Sequence, residues 1–171
     1  MADLFLQLDD VEGESLDLFH SGEIEFHQLK WALYNTATVY MSGSDFSQHA
    51  TVDHIEIGKW VDNASPTLAR MCAHGKHIPK GTITCRKNDG FSSKHEYFTI
   101  ELENIKIDRV EWGGRGEETN GIQETVQLSF LKFKIVYLKQ ANDGYEDEAA
   151  GANEFPFSIP EQKSQAGKPG K

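Results

Sequence analysis

The stretch SPTLARMCAHGKHIP, residues 65–79, sets Cys72, His74 and His77 close together. Thiolate and imidazole are the side chains that hold zinc or form a nucleophile and its base. A Cys-x-His-x-x-His zinc site needs a fourth ligand, and the chain contains no CxxC or HExxH segment to supply it. Residues two apart on a helix diverge by about 200° around its axis, so Cys72 and His74 point away from each other. The local pattern predicts a short amphipathic helix over about 65–74 instead: Ser65 as cap, Pro66 in the first turn, Leu68, Met71 and Cys72 on one face, and Gly75 as the stop. On that helix Cys72 behaves as a small hydrophobe and His74 lies beside the terminal carbonyls.

Other residues with chemical potential read the same way. WGGRGEETNG, residues 112–121, is glycine-rich but lacks the GK[ST] ending of a phosphate loop and precedes a strand rather than a helix. Glu101 and Glu103 stand on the polar side of an alternating segment, where solvated carboxylates are the rule. No GxSxG or EF-hand pattern occurs. The expectation is a protein with no catalytic residues, no metal and no cofactor.

Charge and length narrow the partners. With 17 Lys and Arg against 27 Asp and Glu, the net charge of −10 has the wrong sign for neutralising nucleic-acid phosphates. The start, MADLFLQLDDVEGES, carries acids where a secretory leader is basic, and no apolar run approaches the ~20 residues of a membrane span, so neither a signal peptide nor membrane insertion is expected. Two cysteines in 171 residues do not make a secreted disulfide framework. Cytoplasmic synthesis and folding follow, with any export independent of a leader.

The elements that carry these residues are strands, since most of the chain alternates with period two. Three segments change phase along their length. In residues 23–33, Ile24 and Phe26 share a parity that Leu29, Trp31 and Leu33 abandon; in 95–110, Phe98, Ile100 and Leu102 give way to Ile105 and Ile107; in 121–139, Val126, Leu128 and Phe130 give way to Phe133, Ile135 and Tyr137. A one-residue shift of this kind is what a β-bulge produces, and it bends the strand. Strands that re-aim their apolar face turn corners between sheets or wrap a barrel. The predicted fold is mainly β: a compact antiparallel β-barrel of two packed sheets with one short flanking α-helix.

Residues 34–50, YNTATVYMSGSDFSQHA, form a long extended loop with no burial period, yet they hold Tyr34, Val39, Tyr40, Met41 and Phe46. Long loops in compact domains are commonly functional, and Tyr, Phe and Met are enriched at interfaces, so these five residues are predicted to dock on a partner surface, the alternative being a loop folded back on its own barrel. After Gln140 an acidic run leads to FPFSI at 155–159, which suits a short edge strand. One domain over 1–160 and a flexible tail over 161–171 result.

DVEGES at 10–15, HSGEIEFHQLKWAL at 20–33, IGKWVDNASPTLARMCAHGKHIPKGTITCRK at 57–87 and ETVQLSFLKFKIVY at 124–137 together resemble the haemolysin-coregulated protein (Hcp) family, the tube proteins of type VI secretion systems. The most specific part is Lys59-x-x-Asp62-x-x-Ser65-Pro66-x-Leu68 followed by Gly75-Lys76-His77-x-Pro79. The resemblance implies a barrel flanked by a helix and assembled as a homohexameric ring. Rings stack into a tube that a contractile sheath expels behind a VgrG-like spike protein, so the subunit is cytoplasmic during assembly and then secreted without a signal peptide. It also implies that effectors ride in the lumen. By position in the family pattern, Lys30 and its neighbour Gln28 are the lumen residues that touch cargo. Copies that each carry −10 must pair acids with Lys or Arg where they stack.

Two rival functions follow from the residues alone. A monomeric β-barrel that holds a ligand or peptide is separated from a ring by its mass in solution. A small hydrolase using Cys72 is separated by whether Cys72→Ala abolishes a turnover.

Overall fold

The computed structural model describes residues 3–35, 50–88, 94–114, 121–139 and 152–159. Val39, Tyr40, Met41 and Phe46, the centre of the glycine-rich stretch and residues 161–171 lie outside the described residues. In chain order the elements are β1 (Asp3–Leu8), β2 (Ile24–Phe26), β3 (Gln28–Lys30), β4 (Leu33–Asn35), β5 (Ala50–Val52), β6 (Ile55–Trp60), α1 (Ser65–His74), β7 (His77–Asn88), β8 (Lys94–Gly113), β9 (Gln123–Ser129), β10 (Lys132–Leu138) and β11 (Ala152–Ser158). Every described strand pairing is antiparallel.

Among the described residues the fold is, as expected, mainly β with one short helix, and its strands form two antiparallel sheets, one of nine strands and a separate two-stranded one, β4–β5. In the large sheet the order runs β2-β1-β7-β8-β9-β6-β3, with β10 on β8 and β11 on β10. Among the described residues strand pairing does not close this ladder into a barrel. Its two ends, β2 and β3, are consecutive pieces of chain that leave β1 and join β6 at His27, whose N–H donates to Gly58 O at 2.9 Å. The chain curls the sheet around its core and changes partner at a corner.

All three predicted phase changes fall at such corners. The first is His27. The second lies inside the 20-residue β8, where Asn104 takes φ +54°, a left-handed conformation that asparagine tolerates better than most side chains. Leu102 before it and Ile105 after it are both buried. The third corrects the expectation of one continuous bent strand over 121–139. Phe130 and Leu131 interrupt it, and the two halves pair in succession with the same edge of β8, β9 along 106–113 and β10 along 98–103. A fourth irregularity sits in the β8–β9 pairing between Ile107 and Arg109.

The core gathers inward residues of the large sheet, with Leu6, Ile57, Ile83, Ile100, Leu102, Ile107, Val126 and Leu128 almost wholly buried. Each such side chain contributes about 1.5–3 kcal/mol of transfer free energy. Helix α1 packs its Leu68 and Met71 into this core against β8. Its C-terminal stop is the predicted one: Gly75 is left-handed, its N–H reaches Cys72 O at 3.2 Å, and Lys76 N–H reaches Met71 O at 3.0 Å, the paired bonds of a Schellman motif. The N-terminus differs from expectation. Ser65 is the first helical residue rather than the cap, because its hydroxyl is engaged by Asp62 N–H at 3.1 Å and by Lys59.

Two further segments pair as strands, the second of them as its pattern suggested. The stems of the 34–50 loop pair as β4–β5, with Tyr34 opposite Thr51. FPFSI returns as the edge strand β11, along the whole length of β10.

Candidate assembly surfaces

Alternation along β6 and β9 sets Ile55, Ile57 and Lys59, and Glu124, Val126 and Leu128, on the inward side. Two of those six are charged, and they are directly opposite each other in the ladder. Lys59 and Glu124 are both wholly buried. Burying an ammonium is tolerable only if its donors are matched. Lys59 Nζ shares its three N–H donors among four acceptors, Asp62 Oδ1 at 2.7 Å, Trp60 O at 2.9 Å, and Ser65 Oγ and Glu124 Oε1 at 3.1 Å each. The second oxygen of Glu124 accepts from Trp112 Nε1 at 2.6 Å, and Asp62 Oδ1 also accepts Ala64 N–H at 2.9 Å. This cluster ties the ends of β6, β8 and β9 to the start of α1. The sequence reading missed it, although the signal was there: a Lys and a Glu on the apolar parity of two strands.

The outward side of the same strands carries the two predicted lumen residues. Gln28 and Lys30 are both exposed on β3 and share one face. Lys30 lies in register with Glu56, Gln127 and Arg109 across β6, β9 and β8; Gln28 lies in register with Gly58, Thr125 and Glu111. Gly58 leaves room for Gln28, since a Cβ there would come 3.0 Å from Gln28 Cβ. Lys30 lines a shallow recess of about 200 Å³ with Trp31, Asp53, His54 and Glu56. The face is polar, pinned by Gln127 Nε2 to Glu56 Oε2 at 3.1 Å and His54 Nδ1 to Asp108 Oδ2 at 2.8 Å. It can form many weak hydrogen bonds and ion pairs, the chemistry of a wall rather than of a tight pocket.

On β8, β10 and β11 a second outward face carries alternating charges. Lys134 Nζ lies 3.0 Å from Glu101 and 3.9 Å from Glu154, and Lys132 lies 3.5 Å from Glu103. The hydrogen bond that Lys134 donates to Glu101 raises the lysine's pKa.

Of the predicted interface residues the structure places Tyr34, which is half exposed on β4. The neighbouring Leu33 is also exposed and points to the other side of that strand.

The residues first considered for metal or nucleophile chemistry are not brought together. Cys72 is half-buried against the core, while His74 and His77 are exposed. Among the described residues no group of three or more His, Cys, Asp or Glu converges as a metal site would. Burial pushes the Cys85 thiol up to about 11, away from thiolate reactivity.

Residues 5–137 match the family described as "Type VI secretion system effector, Hcp". The chain is 32% identical over 145 residues to the protein hcp1 of Pseudomonas aeruginosa, covering 85% of this chain and 88% of that one. The crystal structure of a type VI secretion system effector from Yersinia pestis is similar at 29% identity and TM-score 0.72, covering 92% of this chain and all of the other (100%). That of Hcp1 from Salmonella typhimurium is similar at 28% identity and TM-score 0.71, covering 92% and 94%.

Proposed function

Because the chain belongs to the Hcp family of the type VI secretion system, we propose that it is a structural subunit of that system's inner tube. In this reading it forms hexameric rings that stack, is expelled on sheath contraction behind a spike protein, and carries effectors in the ring lumen. It makes and breaks no covalent bond of its own. The observation that carries the reading is the division of labour on the curled sheet: a broad polar face bearing Gln28 and Lys30 on β3, β6, β9 and β8, and an arm, β4–β5, that leaves the sheet beside it. A polar wall suits varied cargo held weakly, and an arm with Tyr34 at its stem suits a heterologous contact, where one patch meets a different patch on the neighbour and rotation closes the ring.

Mass by light scattering and negative-stain imaging test this directly. Six-fold rings are expected at micromolar concentration, and a monomer at high concentration overturns the reading. Within the ring, Tyr34, Val39, Tyr40, Met41 and Phe46 form the arm's side of the contact. Replacing Tyr40 and Phe46 together with Ser is expected to lower ring mass while the far-UV spectrum of the fold stays unchanged. For cargo, Lys30→Glu is expected to change which effectors copurify and to leave the ring intact.

A further inference from the structure

Residues 13–22 form a closed loop that is inside out. Gly13 N–H donates to Gly22 O at 2.8 Å and Gly22 N–H to Ser15 O at 2.9 Å. A Cβ on Gly13 would fall 2.3 Å from Glu23 O, so only glycine permits the closure. Three polar residues face the body. Ser15 Oγ donates to Glu25 at 2.7 Å, Asp17 pairs with the buried Arg86 at 2.5 Å, and buried His20 stacks on Phe5 with centroids 4.2 Å apart. The apolar residues face out: Leu16 is 96% exposed, Leu18 86% and Phe19 79%. Isolated exposed apolar residues are ordinary, but three in a loop anchored at both flanks cannot collapse onto the core.

The ridge continues onto the body. Leu16 shares a recess with Trp60 and Val61. Val61 N–H donates to Ile122 O at 3.0 Å, and Val61, Ile122 and Trp112 are each about half exposed. All sit at the end of the β6–β9 ladder marked by the Trp60–Gln123 pair. At the other end, marked by the Ile55–Leu128 pair, Leu33 and Leu131 are exposed. The six paired positions run about 17 Å from one end to the other at strand rise.

We propose that the loop residues Leu16, Leu18 and Phe19, together with Val61, Trp112 and Ile122 at the Trp60–Gln123 end of the ladder, dock the Leu33 and Leu131 end of a second copy of this chain in the adjacent ring. This inference rests on the tube reading and names the stacking surface within it. Two unlike apolar patches at opposite ends of one ladder are not self-complementary. Their mutual contact repeats by translation and does not close, which is the geometry of a growing stack. The area fits the same partner. Six side chains that each bury on the order of 100 Å² give roughly 600 Å², short of the ~800 Å² per partner of a stable pairwise interface. A contact too small for an isolated dimer becomes strong when a ring presents it several times at once.

The test uses the full chain with Leu16, Leu18 and Phe19 all replaced by Ser, and a second variant, Leu131→Ser, at the other end. Rings of unchanged mass are expected in both, with the fraction that sediments as stacks reduced at least tenfold. Mixing the two kinds of ring restores one good interface per pair, so imaging of the mixture shows stacks of two rings and no longer ones. Stacks of ordinary length in the triple variant, loss of the rings themselves, or no pairing on mixing each overturn the proposal. An unaltered chain that forms no rings removes the tube reading as well, which distinguishes that failure from this one.

Discussion

Lys59 and Glu124 face each other across β6 and β9; Lys134 and Glu101 face each other across β10 and β8. The residue types are the same, the pairing is direct in both ladders, and the N–O distances are 3.1 and 3.0 Å. One pair is wholly buried, while the other has side chains 32% and 49% exposed. Identical local chemistry thus serves two purposes, and the side of the sheet decides which. Inside, removing either partner strands a charge in a medium that cannot solvate it. Outside, water and salt replace whatever is lost, and the pair decorates a surface.

The largest break in that comparison is Lys59→Met. It leaves Glu124 and Asp62 without their shared cation, and a loss of about 3–5 kcal/mol is expected, read as a lower urea midpoint. Adding Glu124→Leu to it recovers part of the loss if the penalty is the stranded carboxylate. No recovery would mean that the cluster works through the geometry of the Asp62 turn and the start of α1.

Asp17 and Arg86 stand between the extremes and sharpen the comparison with pH. Hydrogen bonding from Arg86, then from Phe19 N–H, holds the Asp17 carboxyl well below the usual carboxylate range. A folded-state pKa below the unfolded value contributes stability that is complete above about pH 4 and is lost as pH falls further. Asp17→Asn is therefore expected to destabilise at pH 7, and the gap between variant and parent should narrow as melts are repeated toward pH 2. A gap that stays constant would show that charge is not what holds the 13–22 loop.

The smallest effect belongs to Lys134→Ala, whose midpoint is expected to stay within error of the parent in low salt and in 0.5 M salt alike. A shift rivalling that of Lys59→Met would erase the distinction between the two faces.

Much of this architecture was legible in the chain. Parity breaks at His27, between Leu102 and Ile105, and between Phe130 and Phe133 mark all three corners, because alternation is a local property that a bulge or break must disturb. The helix stop at Gly75 was equally local. The Lys59–Glu124 pair was half legible: parity turns each residue inward, but the partners are 65 positions apart, and no spacing rule joins them. Gln28 and Lys30 were singled out by the family resemblance, whereas the register that lines Lys30 up with Glu56, Gln127 and Arg109 spans three pairings between distant segments. The inside-out loop gave no sign at all. Leu16, Leu18 and Phe19 stay outside because Arg86, 69 positions from Asp17, and Phe5 claim Asp17 and His20 for the interior.

By itself, then, the order of residues determined where strands run, where they bend, where the helix ends and which family the chain resembles, since each depends on neighbours within a few positions. Only the tertiary structure decided that the sheet curls without closing its ladder, which charges go inside and which apolar side chains stay out. Those outcomes depend on contacts between segments that the chain alone keeps apart, and their free energy exists only once both segments have arrived.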